Sequence, residues 1–371
     1  MKKVKKILKI IAIIIVVLAI AIGLYLQHPL FGKSPTGERK ERIIKSVNYK
    51  DGSFQNLEYT PRLTEGYSML EAAYTLYFKG SDEQKNKEDI PHVETDLKNL
   101  PKDKNFYIWF GHSSYFMQID GVKYLVDPVL SGSASPIPGN TKALKGSDYY
   151  KADMLPDDID YLIITHDHYD HLDYDTIKKI KNKVKNVILP LGLGEDFEYW
   201  GYDKNKLTEL DWYEEKQFEN AKFTAVPARH SSGRLKTGQT LWSSYVLQTA
   251  SKKIYLGGDS SYGKHFKDIG EKYGSFDLAL IENGQYNKMW KYSHLFPEET
   301  LLVTKELNAK VLIPIHNSKF VLSTHAWNEP LKQLTAINKE KNYNINILTP
   351  KIGQVIDLNN LENEKTENWF E

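Results

Sequence analysis

Five strand-forming residues, Tyr161–Thr165, run straight into His166-Asp167-His168-Tyr169-Asp170-His171. This junction constrains the fold more than any other stretch of the chain. Three imidazoles and two carboxylates within six residues cannot share one face of a helix or strand, whose side-chain periods are about 3.6 and 2.0 residues. A loop must wrap them around a common centre. Imidazole with carboxylate is a donor set for zinc, and also for iron, manganese and nickel. The chain has no cysteine, so disulfides and thiolate sites are excluded and any metal must be held by imidazole and carboxylate.

Three further apolar runs end in the same way. Phe223–Val226 leads to Pro227-Ala228-Arg229-His230, Ile254–Leu256 to Gly257-Gly258-Asp259, and Val311–Ile315 to His316. Ligands collect at the carboxyl ends of strands in α/β proteins, so these ends are expected to meet at one edge of a sheet. From Phe106 onward, short apolar runs alternate with helical stretches, the pattern of an α/β domain. Phe106–Phe110, Tyr115–Ile119 and Val122–Val126 read as an antiparallel start, with Asp120-Gly121 as a hairpin turn. Asn186–Leu189, Ser244–Leu247 and Leu278–Ile281 read as further strands. Tyr67–Phe78, Tyr174–Lys183, Pro297–Leu307 and Leu331–Lys339 have helical spacing, and Ser81–Asp89 reads as a charged loop.

The N-terminus has a different character. Lys2, Lys3, Lys5, Lys6 and Lys9 precede an uncharged run from Ile10 to Leu26. As a helix that run is about 26 Å long, close to the ~30 Å hydrocarbon core of a bilayer. Ala19-Ile20-Ala21 offers small residues for signal cleavage but lies inside the apolar run, so the expectation is an uncleaved anchor. Basic residues stay cytoplasmic, which places the body outside. Net charge is +1 over the whole chain, so beyond the five lysines the body is mildly acidic. That disfavours nucleic acid as a partner, which requires a basic footprint.

Thr165-His166-Asp167-His168-Tyr169-Asp170-His171-Leu172-Asp173 resembles the His-x-His-x-Asp-His signature of the metallo-β-lactamase superfamily. Arg229-His230, Gly258-Asp259 and Pro314-Ile315-His316 resemble its later metal motifs, in order. Trp109-Phe110-Gly111-His112-Ser113-Ser114, followed by Asp127-Pro128, is similar to a narrower branch. That branch contains the N-acylphosphatidylethanolamine-hydrolysing phospholipase D enzymes and the ascorbate-phosphate lactonases. His294 ahead of Pro297-Glu298-Glu299, and His325-x-Trp-x-Glu-Pro, lean toward the phospholipase side. The resemblance covers about residues 100–350.

The resemblance implies an α/β fold, a four-layer αββα sandwich preceded here by a transmembrane helix, with two Zn2+ ions per chain. By the same resemblance His166, His168 and His230 would hold one metal, Asp170, His171 and His316 the other, and Asp259 would bridge them. Asp127 would orient a ligand histidine. His294 matches a position near the substrate head group, while His112 and His325 match pattern alone. Two such metals activate water and clamp a phosphodiester, so no protein nucleophile is required. Asp170 and Asp259 are then candidate proton acceptors, and His294 a candidate partner of the leaving group. The expected organisation is an anchor over residues 1–28, a tether with an accessory helical segment over 29–100, and a hydrolase domain over 101–371. The expected activity is a membrane-anchored phosphodiesterase acting on a phospholipid or lipid-like ester. The competing activity is a lactonase or other ester hydrolase using the same metals. Lys288-Met289-Trp290-Lys291-Tyr292 mixes cations with aromatics in the manner of a membrane interface.

Overall fold

The computed structural model describes residues 2–80 and 82–371. α1 (Lys2–Tyr25) has no buried residue and, among the described residues, is the one helix long and apolar enough to cross a membrane. Of the charged loop, Ser81 lies outside the described residues, and Asp82–Gln84 forms a 3-10 turn.

The stretch read as a tether is seated on the body. It contains α2 (Gly37–Lys45) and a small hairpin, β1 (Tyr49–Lys50) with β2 (Ser53–Phe54). Ile43 and Phe54 are buried against Leu191, Trp212, Leu241 and Trp242. Arg39 pairs with Glu195 and Glu209, each at 2.7 Å, and with Glu198. Helix breakers around this stretch hid α2, whose hold on the body is ionic more than apolar. α3 (Met69–Phe78) begins two residues later than the spacing predicts, because Ser68 caps it by accepting from the Glu71 N–H.

The first sheet opens with β3 (Phe106–Trp109), β4 (Tyr115–Ile119) and β5 (Val122–Val126), antiparallel as expected. Asp120 and Gly121 both have positive φ, 53° and 77°, as a tight two-residue hairpin demands. β6 (Ile159–Ile163), β7 (Val184–Pro190) and β8 (Leu207–Leu210) continue it in parallel. α4 (Tyr174–Ile180) and α5 (Gly194–Tyr199) connect these strands, and Ile177, Ile180 and Phe197 join their core.

The second sheet repeats the plan. β9 (Glu215–Gln217), β10 (Lys222–Val226), β11 (Ser244–Gln248) and β12 (Lys253–Leu256) are antiparallel. β13 (Leu278–Glu282), β14 (Val311–Ile315) and β15 (Asn346–Ile347) run parallel. α6 (His265–Tyr273), α7 (Pro297–Glu306) and α8 (Glu329–Glu340) cover its outer face. β16 (Val355–Asp357) returns to the first sheet beside β3, giving seven strands in each sheet.

Strict alternation makes the layers. Tyr245, Leu247, Ile254, Leu256, Leu278 and Leu280 point between the sheets, while Val246, Tyr255, Ala279 and Ile281 face the outer helices. Both faces are buried, so these strands read as continuous apolar runs rather than alternating ones. The result is the expected four-layer αββα sandwich.

Candidate metal centre

β6 stops at Ile163, two residues short of the expected run, because Thr165 turns to Asp127. Its N–H donates to Asp127 Oδ1 at 2.9 Å and its hydroxyl to Oδ2 at 2.6 Å. The chain then wraps, and the histidine loop leaves the sheet. The converging strand ends belong to both sheets rather than to neighbours in one: β6 lies in the first, β10, β12 and β14 in the second. The centre therefore sits at the shared edge of the sandwich.

Every metal-ligand candidate arrives there. His166, His168 and His230 offer donor atoms within 4.8 Å of one another, as do Asp170, His171 and His316 together with His112. His166 Nε2 lies 3.0 Å from His168 Nδ1, and His230 Nε2 lies 3.2 Å from that same atom. Asp259 stands between the two groups. Its Oδ1 is 3.1 Å from both His171 Nε2 and His316 Nδ1, while its Oδ2 is 3.7 Å from His230 Nε2 and 3.9 Å from His166 Nε2.

Several of these atoms have no protein partner. His171 Nε2, His316 Nε2 and Asp259 Oδ1 are buried without a hydrogen bond, since the 3.1 Å approach of His171 to Asp259 is misaligned. An unpartnered buried polar atom costs about 1–3 kcal/mol, so these orphaned atoms, with His171 Nε2 and Asp259 Oδ1 only 3.1 Å apart, mark a place for a cation. Protonation agrees. Burial disfavours the charged imidazole at His166 and His316, and holds His230 down at about 3 against the pull of Asp259. Burial alone would raise Asp170 and Asp259, but the surrounding histidines keep both well below the usual carboxylate range. His166, His230 and His316 are thus neutral beside ionised carboxylates, the forms that bind metal. At His171 the pull of Asp259 and Asp170 outweighs burial and favours the charged ring, whose proton a cation would displace. The residues therefore fit a metal.

A surrounding layer fixes the donors. Asp127 Oδ2 lies 2.8 Å from His171 Nδ1, which aims Nε2 inward. His112 Nε2 lies 2.8 Å from Asp170 Oδ2, and Ser113 Oγ lies 3.0 Å from His316 Nδ1. The His112 and His316 segments clamp each other: His316 N–H donates to His112 O, and His112 N–H to Asn317 O, each at 3.0 Å. His112, Asp127 and His316 all have left-handed backbones, with φ of 54°, 40° and 67°. Such strain in residues other than glycine is held by surrounding structure and gathers at functional sites.

His294 also reaches the centre. Its Nδ1 lies 2.8 Å from Glu282 Oε2 and 3.8 Å from Asp259 Oδ2, and its ring stacks on His316 at 5.0 Å. His325 does not join the centre. Its Nε2 accepts from Gln285 N–H at 2.8 Å and its ring lies over Tyr286, so it braces a loop. One residue, Glu282, escaped sequence reasoning. Glu282 ends an apolar strand just as the other candidates do, a signal that was available. His112 matches the family pattern in sequence, but its contact with Asp170 requires the fold.

Comparison with known proteins agrees with this geometry. A family described as "Beta-lactamase superfamily domain" matches residues 123–317. An uncharacterised protein of Mycobacterium tuberculosis is 32% identical over 349 residues, covering 91% of this chain and 93% of that one. An N-acyl-phosphatidylethanolamine-hydrolyzing phospholipase D of Caenorhabditis elegans is 33% identical over 272 residues, covering 62% of this chain and 75% of its own. A metallo hydrolase of Ignicoccus hospitalis shares the fold, with a TM-score of 0.51 at 20% identity, over 68% of this chain and 97% of that one. With the signature loop, its donors and this fold together, the chain belongs to the metallo-β-lactamase superfamily and is a metal-dependent hydrolase.

Proposed function

We propose that the chain is a membrane-anchored phosphodiesterase of the phospholipase D type, acting on N-acylphosphatidylethanolamine-like phospholipids with two zinc ions. The observation that carries the substrate class is the identity to the nematode enzyme along three quarters of its length. α1 supports it by holding the body at a lipid surface. Residues 1–28 form the anchor, 29–100 the connecting segment and 101–371 the hydrolase domain, with the basic N-terminus cytoplasmic and the catalytic domain outside the cell membrane.

His166, His168 and His230 would hold one metal, and Asp170, His171 and His316 the other. Asp259 turns one oxygen toward each group, which suits a bridging ligand. When bound, such metals acidify water and neutralise charge on a phosphoryl group. The chain's own groups do the rest. Asp170, held through Oδ2 by His112, and Asp259 would accept a proton from the attacking water. His294, tied through Nδ1 to Glu282, leaves Nε2 to face a phosphoryl or leaving-group oxygen.

The test is metal-dependent hydrolysis by the full chain in mixed micelles. The panel pairs N-acylphosphatidylethanolamine and phosphatidylethanolamine with bis(p-nitrophenyl) phosphate and a lactone. Phosphatidic acid should be released, lost on chelation, restored best by zinc, and absent in His168→Ala. Lactone turnover with inert phosphodiesters would leave the metal centre standing and overturn the phospholipase assignment.

A further inference from the structure

α3 presents a bare apolar face. Its sequence, Met69-Leu70-Glu71-Ala72-Ala73-Tyr74-Thr75-Leu76-Tyr77-Phe78, contains a single charge. Ala72 is buried against the body and Leu76 is half-buried, four residues on, as one helix face requires. Leu70, Tyr74 and Phe78, also spaced by four, are 84%, 55% and 75% exposed. Among the described residues nothing covers them. The outer faces of α4, α6 and α8 are instead studded with lysines and acids. An apolar stripe of this kind on a surface helix marks an interaction site.

The position of α3 points to what covers it. At one end, Thr64 N–H donates to Met289 O at 2.8 Å, joining the approach to α3 to the loop that carries His294. At the other end, Leu76 and Phe78 line a cleft of about 760 Å³ with Gly139–Lys145. The same loop receives the end of α1: the Tyr25 hydroxyl donates to Pro136 O, and Ile137 beside it is exposed. α3 thus links the rim of the metal centre to the point where the apolar span meets the body. Lys79 follows its last residue with the ammonium turned back toward the Tyr74 ring, as a cation does when its stem lies along apolar surface. Lys288–Tyr292 is a poorer interface than its composition implied. Met289 is buried and Trp290 Nε1 donates to Gln285 O, so its apolar members turn inward.

We infer that α3 is a second membrane contact, lying in the lipid interface beside α1 and bringing the metal-centre rim down onto the bilayer surface. A surface helix lies in this plane with its apolar face buried at the headgroup–acyl boundary. The inference rests on the proposed membrane location of the chain, but neither on α1 crossing the whole bilayer nor on the identity of the substrate.

The absence of cysteine allows single-site labelling. Leu70→Cys, Phe78→Cys, Ile14→Cys and Lys267→Cys on α6 would each carry an environment-sensitive fluorophore in the full chain, reconstituted in phosphatidylethanolamine–phosphatidylglycerol vesicles. Quenching by lipids with shallow nitroxides is expected at 70 and 78, and not at 267. Water-like emission at 70 and 78 would overturn the inference, whether or not the Ile14 label is quenched. Emission shielded from water yet untouched by the lipid quencher would also overturn it, pointing to a second protein chain. Quenching at 70 and 78 with none at 14 would uphold the α3 contact and remove the span. In activity, Leu70→Glu with Phe78→Glu should lower turnover of vesicle-borne phospholipid by about tenfold or more, with bis(p-nitrophenyl) phosphate turnover unchanged. Equal rates on vesicles for this variant and the parent would count against α3. A chain inert toward both substrates would sink the phospholipase reading and leave the labelling result to decide.

Discussion

Arg234 holds three carbonyls from two distant parts of the chain. Its Nε donates to Asp167 O at 2.8 Å, while its terminal nitrogens donate to Leu172 O and Leu30 O. Its guanidinium also lies over the Tyr169 ring at 4.4 Å. Asp167 and Leu172 bracket the donors His168, Asp170 and His171, and Leu30 follows the apolar span. One planar fork therefore ties the histidine loop to the segment just after the apolar helix α1. Lysine offers a compact charge without that fork. Arg234→Lys is expected to weaken metal affinity by about tenfold while leaving every donor in place, which competition against a zinc chelator would measure. Unchanged affinity would show that the loop holds its shape unaided. The seven candidate donors were legible because donor chemistry is a property of residue type and each stands in the loop, or within a few residues, after an apolar strand. Arg234, Glu282 and the His112–Asp170 contact were not, because their partners lie far along the sequence. Nor does residue type announce the left-handed backbones of His112 and His316, which the fold imposes.

At the scale of elements, apolar runs located the central strands of both sheets to within a residue or two. The misses were polar and peripheral. β8 (Leu-Thr-Glu-Leu) and β9 (Glu-Lys-Gln) are edge strands with little apolar content, and α5 is too short for periodicity to register. α5 nevertheless has a clear task. Asp196 Oδ1 accepts from Lys33 N–H at 2.5 Å, and Gly32, at φ 75°, has no room for a side chain because a Cβ would lie 2.4 Å from that oxygen. Burial pushes the Asp196 carboxyl up to about 7, against the opposing pull of Arg234. The folded chain therefore keeps a proton that the unfolded chain releases near pH 4. Stability on this account falls as pH rises from about 4 to 7 and is level above, by up to about 4 kcal/mol. Asp196→Asn keeps an acceptor for Lys33 and removes the charge. It should flatten that slope and raise the melting temperature at pH 8 more than at pH 5. An equal shift at both values would mean that Asp196 does not titrate in this range.

For the whole molecule, the stretch that reads as a tether packs on the body from Arg39 to Phe54 rather than hanging free of it. Composition suggested otherwise, because residues 27–60 are sparse in apolar residues and punctuated by His28-Pro29, Gly32, Pro35 and Asp51-Gly52. Their contribution is made in a few places. Ile43 and Phe54 fill a cluster with Trp212 and Trp242, worth about 1.5–3 kcal/mol for each side chain. Arg39 separates Glu195, Glu198 and Glu209, which would otherwise face one another. Asn56 grips the backbone of His230 on both sides, accepting from its N–H at 3.0 Å and donating to its C=O at 2.7 Å. Two truncations should therefore behave differently. A chain starting at residue 29 should melt within a few degrees of the full chain and bind metal equally well. One starting at residue 61 should lose roughly 5 kcal/mol or more from the two side chains and the exposed carboxylates. It should also bind metal more weakly, because His230 is released. Denaturant titration with and without zinc separates the two effects. If both truncations are equally stable but the shorter binds metal poorly, the segment acts on the centre through Asn56 alone. If both properties are unchanged, residues 29–60 are a tether after all, and the contacts of Arg39, Ile43 and Phe54 carry no net stability.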